Sequence, residues 1–204
     1  MNPQKQNLND ARSRATRLKL LNATVDALID VGFSRTTGVE VCRRAQLTRG
    51  ALNHHFPDFA DLLIATLEHV YQRLLEGTTE VEPGSMERVV VELYERVTRP
   101  EFRAVIELWM AAKNETSLRP YLGLAISEGA ALFTPDRLMD HFGPVDPAAF
   151  EATYRTIFEA MIGIGLGRAV GNGEPLAHEP MVLATLKDLG RAFDLQPHQR
   201  EKVK

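Results

Sequence analysis

Apolar residues recur along this chain every three or four positions, a period that predicts amphipathic helices. A first helix is predicted over residues 11–31 and ends at Gly32. Its apolar stripe consists of Leu18, Leu21, Val25, Leu28 and Ile29. Similar stripes predict helices over residues 57–76, 85–98, 100–114, 118–141, 147–170 and 179–193. Because strand-like alternation is absent, the sequence predicts an all-α fold.

Two further short helices, joined by a tight turn, are predicted over residues 36–56. In the first, Thr37 caps a helix that begins near Gly38, and Val41 and Ala45 share one face because they lie four residues apart. After the connector Gln46-Leu47, Thr48 caps the second helix. The apolar underside of this second helix consists of Leu47, Leu52 and Phe56. This layout predicts a helix-turn-helix.

The outer face of the second helix carries polar, basic and small side chains, which suit the major groove of DNA. Arg49 can bond to guanine O6 and N7, Asn53 can bond to adenine or a phosphate, and Ala51 can approach a thymine methyl. The predicted DNA-binding residues are Thr37, Arg43, Thr48, Arg49, Gly50, Ala51, Asn53, His54 and His55. Spacing alone leaves open an ordinary helix pair whose arginines form a solvated face.

Charge is distributed unevenly along the chain and favours the DNA-binding interpretation. Residues 1–56 hold nine basic and four acidic residues, a net charge of +5. The remaining residues hold 15 basic and 23 acidic residues, a net charge of −8, which the overall value of −3 conceals. A basic amino-terminal part can displace counterions from DNA phosphates, whereas an acidic remainder is repelled by them.

One series of residues within roughly the first 65 has a characteristic order and spacing: Gly32-Phe33, Thr36-Thr37, Val41-Cys42, Ala45, Leu47-Thr48-Arg49-Gly50, Leu52, His55-Phe56 and Leu62. In this series the chain resembles TetR-like transcriptional regulators. The resemblance implies that the first three helices bind DNA, a long fourth helix connects them to a helical body, and the body binds a small ligand and dimerises. We therefore expect a DNA-binding domain over residues 1–56, with about the first ten residues flexible, and a ligand-binding and dimerisation domain over residues 57–204.

Three residues depart from the pattern of that family. Gln46 occupies the turn position where glycine is usual, so we expect a left-handed backbone that costs a non-glycine residue roughly 1 kcal/mol. Asn53 stands where a phosphate-contacting tyrosine is common, and Phe59 stands where a lysine commonly contacts the DNA backbone. Both changes remove a phosphate anchor. The cations that could compensate are Arg43, His54, His55, Arg12, Arg14 and Arg17.

Two sets of apolar residues in the predicted body are candidates for binding a ligand or a second subunit. Aromatic and methionine side chains line adaptable pockets but equally fill dry cores. The predicted ligand-binding residues are Phe102, Ile106, Trp109, Met110, Tyr121, Phe133, Tyr154 and Phe158. The run over residues 157–170 is apolar on almost every side and needs packing partners. The predicted dimer interface consists of Phe158, Ile162, Gly163, Leu166, Val182, Leu186 and Leu189.

Other classes of protein find little support in the residues. The six histidines lack a metal-ligand spacing, and no phosphate-binding glycine loop or nucleophile with its base is marked, so we expect no enzyme, metal or cofactor. Cys42 is expected to fill the core rather than to sense redox state. No run of about 18 apolar residues or signal peptide is present, which predicts a cytoplasmic protein without a membrane partner.

These patterns together predict a ligand-responsive transcriptional regulator. We expect a homodimeric repressor that leaves a near-palindromic, double-stranded DNA operator when a small apolar effector binds. An activator is also compatible with the sequence. The alternative is a helical ligand-binding dimer whose DNA binding is weak or absent, because Asn53 and Phe59 replace the usual anchors.

Overall fold

The computed structural model describes residues 3–76, 84–131 and 135–195, and every regular element among these residues is a helix. The α-helices are α1 (Pro3–Val31), α2 (Gly38–Ala45), α3 (Arg49–His55), α4 (Phe59–Leu75), α5 (Met86–Val97), α6 (Pro100–Asn114), α7 (Arg119–Ala131), α8 (Asp136–Met139), α9 (Pro147–Val170) and α10 (Glu179–Asp194). A short 3-10 helix, Phe33–Arg35, follows α1. The predicted all-α fold is confirmed.

Two of the helix predictions are wrong in their bounds. Helix α1 begins at Pro3 rather than at residue 11, because polar residues without a helix breaker continue a helix that no apolar stripe marks. The single helix predicted over residues 118–141 is instead two helices, α7 and α8. Pro135 directly precedes α8, and its ring and missing N–H are not tolerated inside a helix. Most of the segment between the helices predicted over residues 57–76 and 85–98 lies outside the described residues.

The described residues divide into two compact units. Unit 1 lies within Met1–Arg73 and Ala104–Ser127, and unit 2 lies within Leu74–Arg103 and Glu128–Lys204. The boundary of unit 1 does not coincide with the functional division predicted at residue 56, because Leu62 and Ala65 of α4 pack into the same apolar cluster as α1, α2 and α3.

Unit 1 contains the helix-turn-helix and the helices that brace it. Its apolar cluster consists of Leu20, Leu21, Ala23, Val41, Cys42, Leu52, Phe56, Leu62 and Ala65, with Ala45, Leu47 and Phe59 packed against it. Polar contacts fix the bracing helices: Asn22 Oδ1 of α1 is 2.9 Å from His69 Nε2 of α4. The Trp109 indole N–H of α6 donates to the Tyr71 hydroxyl of α4 at 3.0 Å.

Unit 2 packs α5, α9 and α10 together. The carboxylate of Asp194, at the end of α10, accepts hydrogen bonds from the Ser85 hydroxyl at 3.0 Å and from the Met86 and Glu87 N–H groups at 2.6 and 3.2 Å. These donors are at the start of α5, where a helix has unpaired N–H groups. Gly190 permits this close approach, because a Cβ there would lie 2.7 Å from the Glu87 backbone nitrogen.

A buried ion pair also joins the last two helices of unit 2. The Arg168 guanidinium of α9 donates to both oxygens of Glu179, whose side chain is only 2% exposed. The Tyr94 hydroxyl of α5 donates to Glu179 Oε1 at 2.6 Å. The hydrogen bonds from Arg168 outweigh the opposing effect of burial, which raises the pKa of a carboxyl, and hold the pKa of Glu179 at about 2. None of the described helices is long and apolar enough to cross a lipid bilayer.

Candidate nucleic-acid interface

Helix α2 begins and ends as the residues predict. The Thr37 hydroxyl accepts a hydrogen bond from the Glu40 N–H at 3.3 Å, which caps the helix. The helix ends at Gln46, whose φ of 55° and ψ of 44° lie in the left-handed region. The left-handed turn expected at this non-glycine residue is therefore confirmed, and its backbone is strained.

Helix α3 is held in place by one cap and an apolar underside. The Thr48 hydroxyl accepts from the Ala51 N–H at 3.2 Å. Leu52 and Phe56 are 5% and 4% exposed and belong to the apolar cluster of unit 1, with Leu47 packed against it. The predicted underside is therefore confirmed, and the orientation of α3 is fixed by burial of these side chains.

The outer face of α3 is solvent-exposed. Arg49, Asn53 and His54 are exposed, Gly50 is exposed, and His55 is partly exposed. Of the other predicted DNA-binding residues, Thr37, Thr48 and Arg43 are exposed and Ala51 is partly exposed. The fold thus brings all nine onto α2, α3 and their caps, within one helix-turn-helix. Their contact with DNA stays a prediction.

Glu40 organises the two arginines of α2. Its carboxylate accepts from Arg43 Nη2 and from Arg44 Nε, each at 2.6 Å. The hydrogen bonds from Arg43 and then Arg44 hold the pKa of Glu40 at about 2, so it is charged at neutral pH. Arg44 also reaches Asp30 of α1 at 2.5 Å and its side chain is 16% exposed. Arg44 therefore braces α2 against α1, whereas Arg43, 67% exposed, can still reach an anion.

The carboxyl-terminal end of α3 lies beside α1. The Arg17 guanidinium lies over the Phe56 ring, 4.7 Å from its centroid. Burial, followed by the charges of His54 and Arg17, lowers the pKa of His55 below its ordinary value. These surroundings therefore favour the neutral form of His55.

Phe59 occupies its position as a packing residue. It is partly buried and lies against the apolar cluster of unit 1. Phe59, Asn53 and Arg49 line a cleft of about 270 Å³ together with Asp58. The cation that lines this cleft is Arg49, and the carboxylate that lines it is Asp58.

Glu107 makes a contact that sequence reasoning missed. Its Oε2 accepts a hydrogen bond from the Phe33 N–H at 2.7 Å and lies 3.4 Å from the place of a Cβ on Gly32. Gly32 has a φ of 76°, which glycine adopts without strain. The turn between α1 and α2 is thereby attached to α6. No local pattern signals this contact, since 74 residues separate the partners.

The predicted ligand-binding residues are divided between the two units. Ile106, Trp109, Met110 and Tyr121 lie in unit 1, and Phe102, Tyr154 and Phe158 lie in unit 2. Met110 and Tyr121 are exposed, whereas Phe102, Ile106 and Tyr154 are buried. Burial raises the pKa of Tyr154 to about 12, so its hydroxyl stays neutral. Phe133 lies outside the described residues. A ligand site on these side chains stays a prediction.

The predicted dimer interface is partly open to solvent within unit 2. Leu166 is 45% exposed, and a Cβ on Gly163 would meet no described atom within 4 Å. Phe158, Ile162, Val182 and Leu189 are half-buried. Leu186 is 6% exposed and is buried within the single chain. Val170 and Met181, 81% and 68% exposed, extend the exposed apolar surface of α9 and α10.

Among the residues that the structure describes, no three metal-ligating side chains come together in a cluster that could hold an ion. Cys42 is buried, as its predicted packing role requires.

Comparison with known proteins identifies the same segment as the helix-turn-helix geometry does. Residues 20–66 match the family model of bacterial regulatory proteins of the tetR family. An HTH-type transcriptional regulator of Mycobacterium tuberculosis is 29% identical over 126 residues, which cover 59% of this chain and 65% of that protein. The HTH-type transcriptional regulator BetI of Paraburkholderia phymatum is 29% identical over 112 residues, which cover 50% of this chain and 57% of that protein. The chain thus spans less than two thirds of the length of these relatives.

The fold itself extends beyond the matched segment. The structure of a TetR transcription regulator from Haloarcula marismortui superimposes with a TM-score of 0.68 at 17% identity, covering 88% of this chain and 98% of that chain. This similarity confirms the predicted helical fold with an amino-terminal helix-turn-helix. Both sequence relatives bear the name of a transcriptional regulator.

Proposed function

We propose that this chain, a TetR-like protein by its amino-terminal sequence and its fold, is a homodimeric transcriptional regulator that binds duplex DNA through α3. The observation that carries the proposal is the exposed polar face of α3 above a buried underside. Arg49, Asn53 and His54 project into solvent, while Leu52 and Phe56 hold the helix in place. A side-chain set of this kind, at the surface of a helix-turn-helix, can read base edges.

Several residues of this helix-turn-helix have a chemical role in the proposed complex. Arg49 donates to guanine O6 and N7, Asn53 bonds to adenine or a phosphate, and Ala51 contacts a thymine methyl. Thr37, Arg43 and Thr48 donate to the phosphates that flank the read bases. Gly50 lets the DNA backbone come close, because its exposed surface carries no side chain.

Regulation follows from two helix-turn-helix segments that a two-fold axis relates in a dimer. A dimer can place its two α3 helices in successive major grooves, roughly 34 to 36 Å apart, on a near-palindromic operator. Exposed apolar residues on α9 and α10 supply a surface for pairing. We propose that bound dimer represses a promoter in the cytoplasm, and that a small apolar effector favours a state with lower DNA affinity.

The position of Glu107 supports a route for that response within unit 1. Glu107 holds the turn at Gly32 and Phe33, and its neighbours Ile106, Trp109 and Met110 on α6 are predicted ligand-binding residues. An effector that displaces this part of α6 would also displace the acceptor of the Phe33 N–H. The turn preceding α2 would then no longer be held in a fixed position.

The test is selection of bound duplexes from a random pool at two salt concentrations. We expect enrichment of a near-palindromic sequence that survives at the higher salt, because base reading adds specificity to the salt-sensitive phosphate term. Arg49→Ala is expected to relax the preference at one base position and to weaken binding by about 1–3 kcal/mol. Arg155→Ala, which removes an exposed arginine of α9, is the matched control and should leave both unchanged.

The second candidate function is a helical ligand-binding dimer without useful DNA affinity. Packing of Phe59 into the apolar cluster favours it, since that position no longer offers a cation to phosphate. Absence of any enriched sequence, combined with dimerisation and reversible retention of an apolar compound, would establish this alternative and refute the first.

A further inference from the structure

The amino-terminal half of α1 extends beyond the packed part of unit 1. Every described side chain from Leu8 to Lys19 is exposed or partly exposed, and burial begins at Leu20. An isolated helix of this length is marginally stable in water, because most helical stability comes from tertiary packing. The described part of the segment is therefore mostly exposed, with Arg17 in contact with Phe56.

The charge of this segment is strongly positive. Arg12, Arg14, Arg17 and Lys19 are all exposed, and Asp10 is the single acidic residue from residue 8 to residue 19. The first turn of α1 contains no acidic residue. A surface with this excess of positive charge attracts an anionic partner.

The place where this segment leaves the packed unit is adjacent to α3. Arg17 lies over Phe56, which caps the carboxyl-terminal end of α3, and its charge helps to lower the pKa of His55. From Arg17 back to Pro3, a helix rising 1.5 Å per residue covers about 21 Å. That length corresponds to about six base pairs of duplex DNA at 3.4 Å per base pair.

We propose that the exposed side chains of residues 8–19 of α1 form a second DNA-binding surface, which contacts the phosphates flanking the half-site read by α3. This proposal rests on the proposed function of α3. Charge complementarity selects DNA as the partner, and proximity to α3 selects the flanking duplex. The surface supplies phosphate anchors in place of those that Asn53 and Phe59 do not offer.

The test compares two duplexes that carry the same selected operator. One ends at the outer edges of the half-sites, and the other continues for about eight base pairs on each side, enough to cover the helix length. Arg12→Gln, Arg14→Gln and Lys19→Gln are combined in one variant, because glutamine has a helix propensity close to that of arginine and lysine. Arg17 is kept, since it contacts Phe56.

The control variant combines Arg88→Gln, Arg155→Gln and Arg191→Gln, which remove the same charge from exposed positions of unit 2. The wild type and this control are expected to bind the longer duplex on the order of tenfold more tightly than the shorter one. The α1 variant is expected to bind both duplexes equally. Its plot of log affinity against log salt should be less steep by about 0.9 for each phosphate that the variant no longer neutralises.

Three results would overturn the proposal while leaving the function of α3 intact. The wild type could bind both duplexes equally, the α1 variant could retain the preference for the longer one, or its affinity for both could fall to the same extent. An equal fall in affinity for both duplexes would indicate general electrostatic attraction to DNA. Equal binding of both duplexes by the wild type would indicate that α1 instead binds a protein partner through Leu8 and Leu18. Failure to enrich any operator would instead refute the proposed function itself.

Discussion

At the scale of single residues, Gly50 separates the stability of α3 from its proposed contact with DNA. A Cβ at Gly50 would meet only the Thr48 hydroxyl oxygen, at an ordinary distance of 3.7 Å. Gly50→Ala should therefore stabilise the free protein, by up to about 1 kcal/mol, because alanine favours the helix. It should weaken operator binding if the DNA backbone approaches Gly50 closely.

Chemical unfolding and a binding titration on the same variant measure the two effects. Gly123→Ala on α7 is the matched control, since a Cβ there would meet no described atom within 4 Å. The control should become more stable with unchanged DNA affinity. Equal operator affinity for Gly50→Ala and the wild type would show that the DNA backbone does not approach Gly50 closely.

Gln46 carries a second prediction at this scale. Its φ of 55° is unfavourable for a residue with a side chain, so Gln46→Gly should raise the free energy of unfolding. The net increase should be about 0.5–1 kcal/mol, because glycine also makes the unfolded chain more flexible. A shift in the urea midpoint with an unchanged slope would measure it.

Asn172 offers the comparison for Gln46, because its φ is 58° and asparagine tolerates the left-handed region better than glutamine. Asn172→Gly should therefore raise the free energy of unfolding above that of the wild type by less than Gln46→Gly does. A decrease in the stability of Gln46→Gly would mean that the glutamine side chain contributes more than its backbone costs.

At the scale of elements, the ion pair between Arg168 and Glu179 fixes α9 to α10. Glu179→Gln should lower the free energy of unfolding by roughly 3–5 kcal/mol, because it leaves a largely buried guanidinium without its carboxylate. Glu151→Gln breaks a surface pair with Arg155 and should cost less than about 1 kcal/mol. Comparable decreases in the two variants would contradict the central role of the buried pair.

The pH dependence of that difference follows from the lowered pKa of Glu179. Its folded value of about 2 lies below the ordinary 4.5, so the carboxylate stabilises the fold fully above about pH 5. The contribution disappears as the pH falls from 4.5 towards 2. Unfolding measured at successive pH values should therefore show the wild type and Glu179→Gln converging in acid.

Local pattern predicted the elements around the site well and their distant contacts poorly. The caps at Thr37 and Thr48, the underside at Leu52 and Phe56, and the strained turn at Gln46 each follow from residues within one or two helical turns. The extension of α1 to Pro3 was missed, because an exposed helix needs no apolar stripe.

Long-range packing explains the remaining differences between prediction and structure. Leu186 belongs to the same apolar stripe as Val182 and Leu189, but it is buried within its own subunit. Gly165 lies against Phe102 of the same chain, whose ring is 2.5 Å from the place of a Cβ on Gly165. A stripe shows that a helix face is apolar, but it does not show which partner covers it.

At the scale of the whole molecule, the exposed apolar surface of α9 and α10 predicts dependence of DNA binding on pairing. Leu166→Glu places a charge on this surface and should yield a monomer, measured by sedimentation. Operator affinity should then fall by about 100-fold or more, because the second half-site no longer binds as part of the same molecule.

Leu124→Glu supplies the matched control for this prediction, because Leu124 is 63% exposed on α7 in unit 1. That variant should remain a dimer with unchanged operator affinity. A Leu166→Glu protein that still sediments as a dimer would place the pairing surface elsewhere.

The hydrogen bond from the Phe33 N–H to Glu107 has a consequence for synthesis of the chain. The residue that holds the turn before α2 is translated 74 residues after the turn itself, so a nascent amino-terminal segment emerges without its acceptor. Closure of such a distant contact is slow compared with helix formation. A fragment that stops at Arg73 would therefore lack the residue that holds the turn before α2. The ability to bind an operator should develop only after α6 has been synthesised.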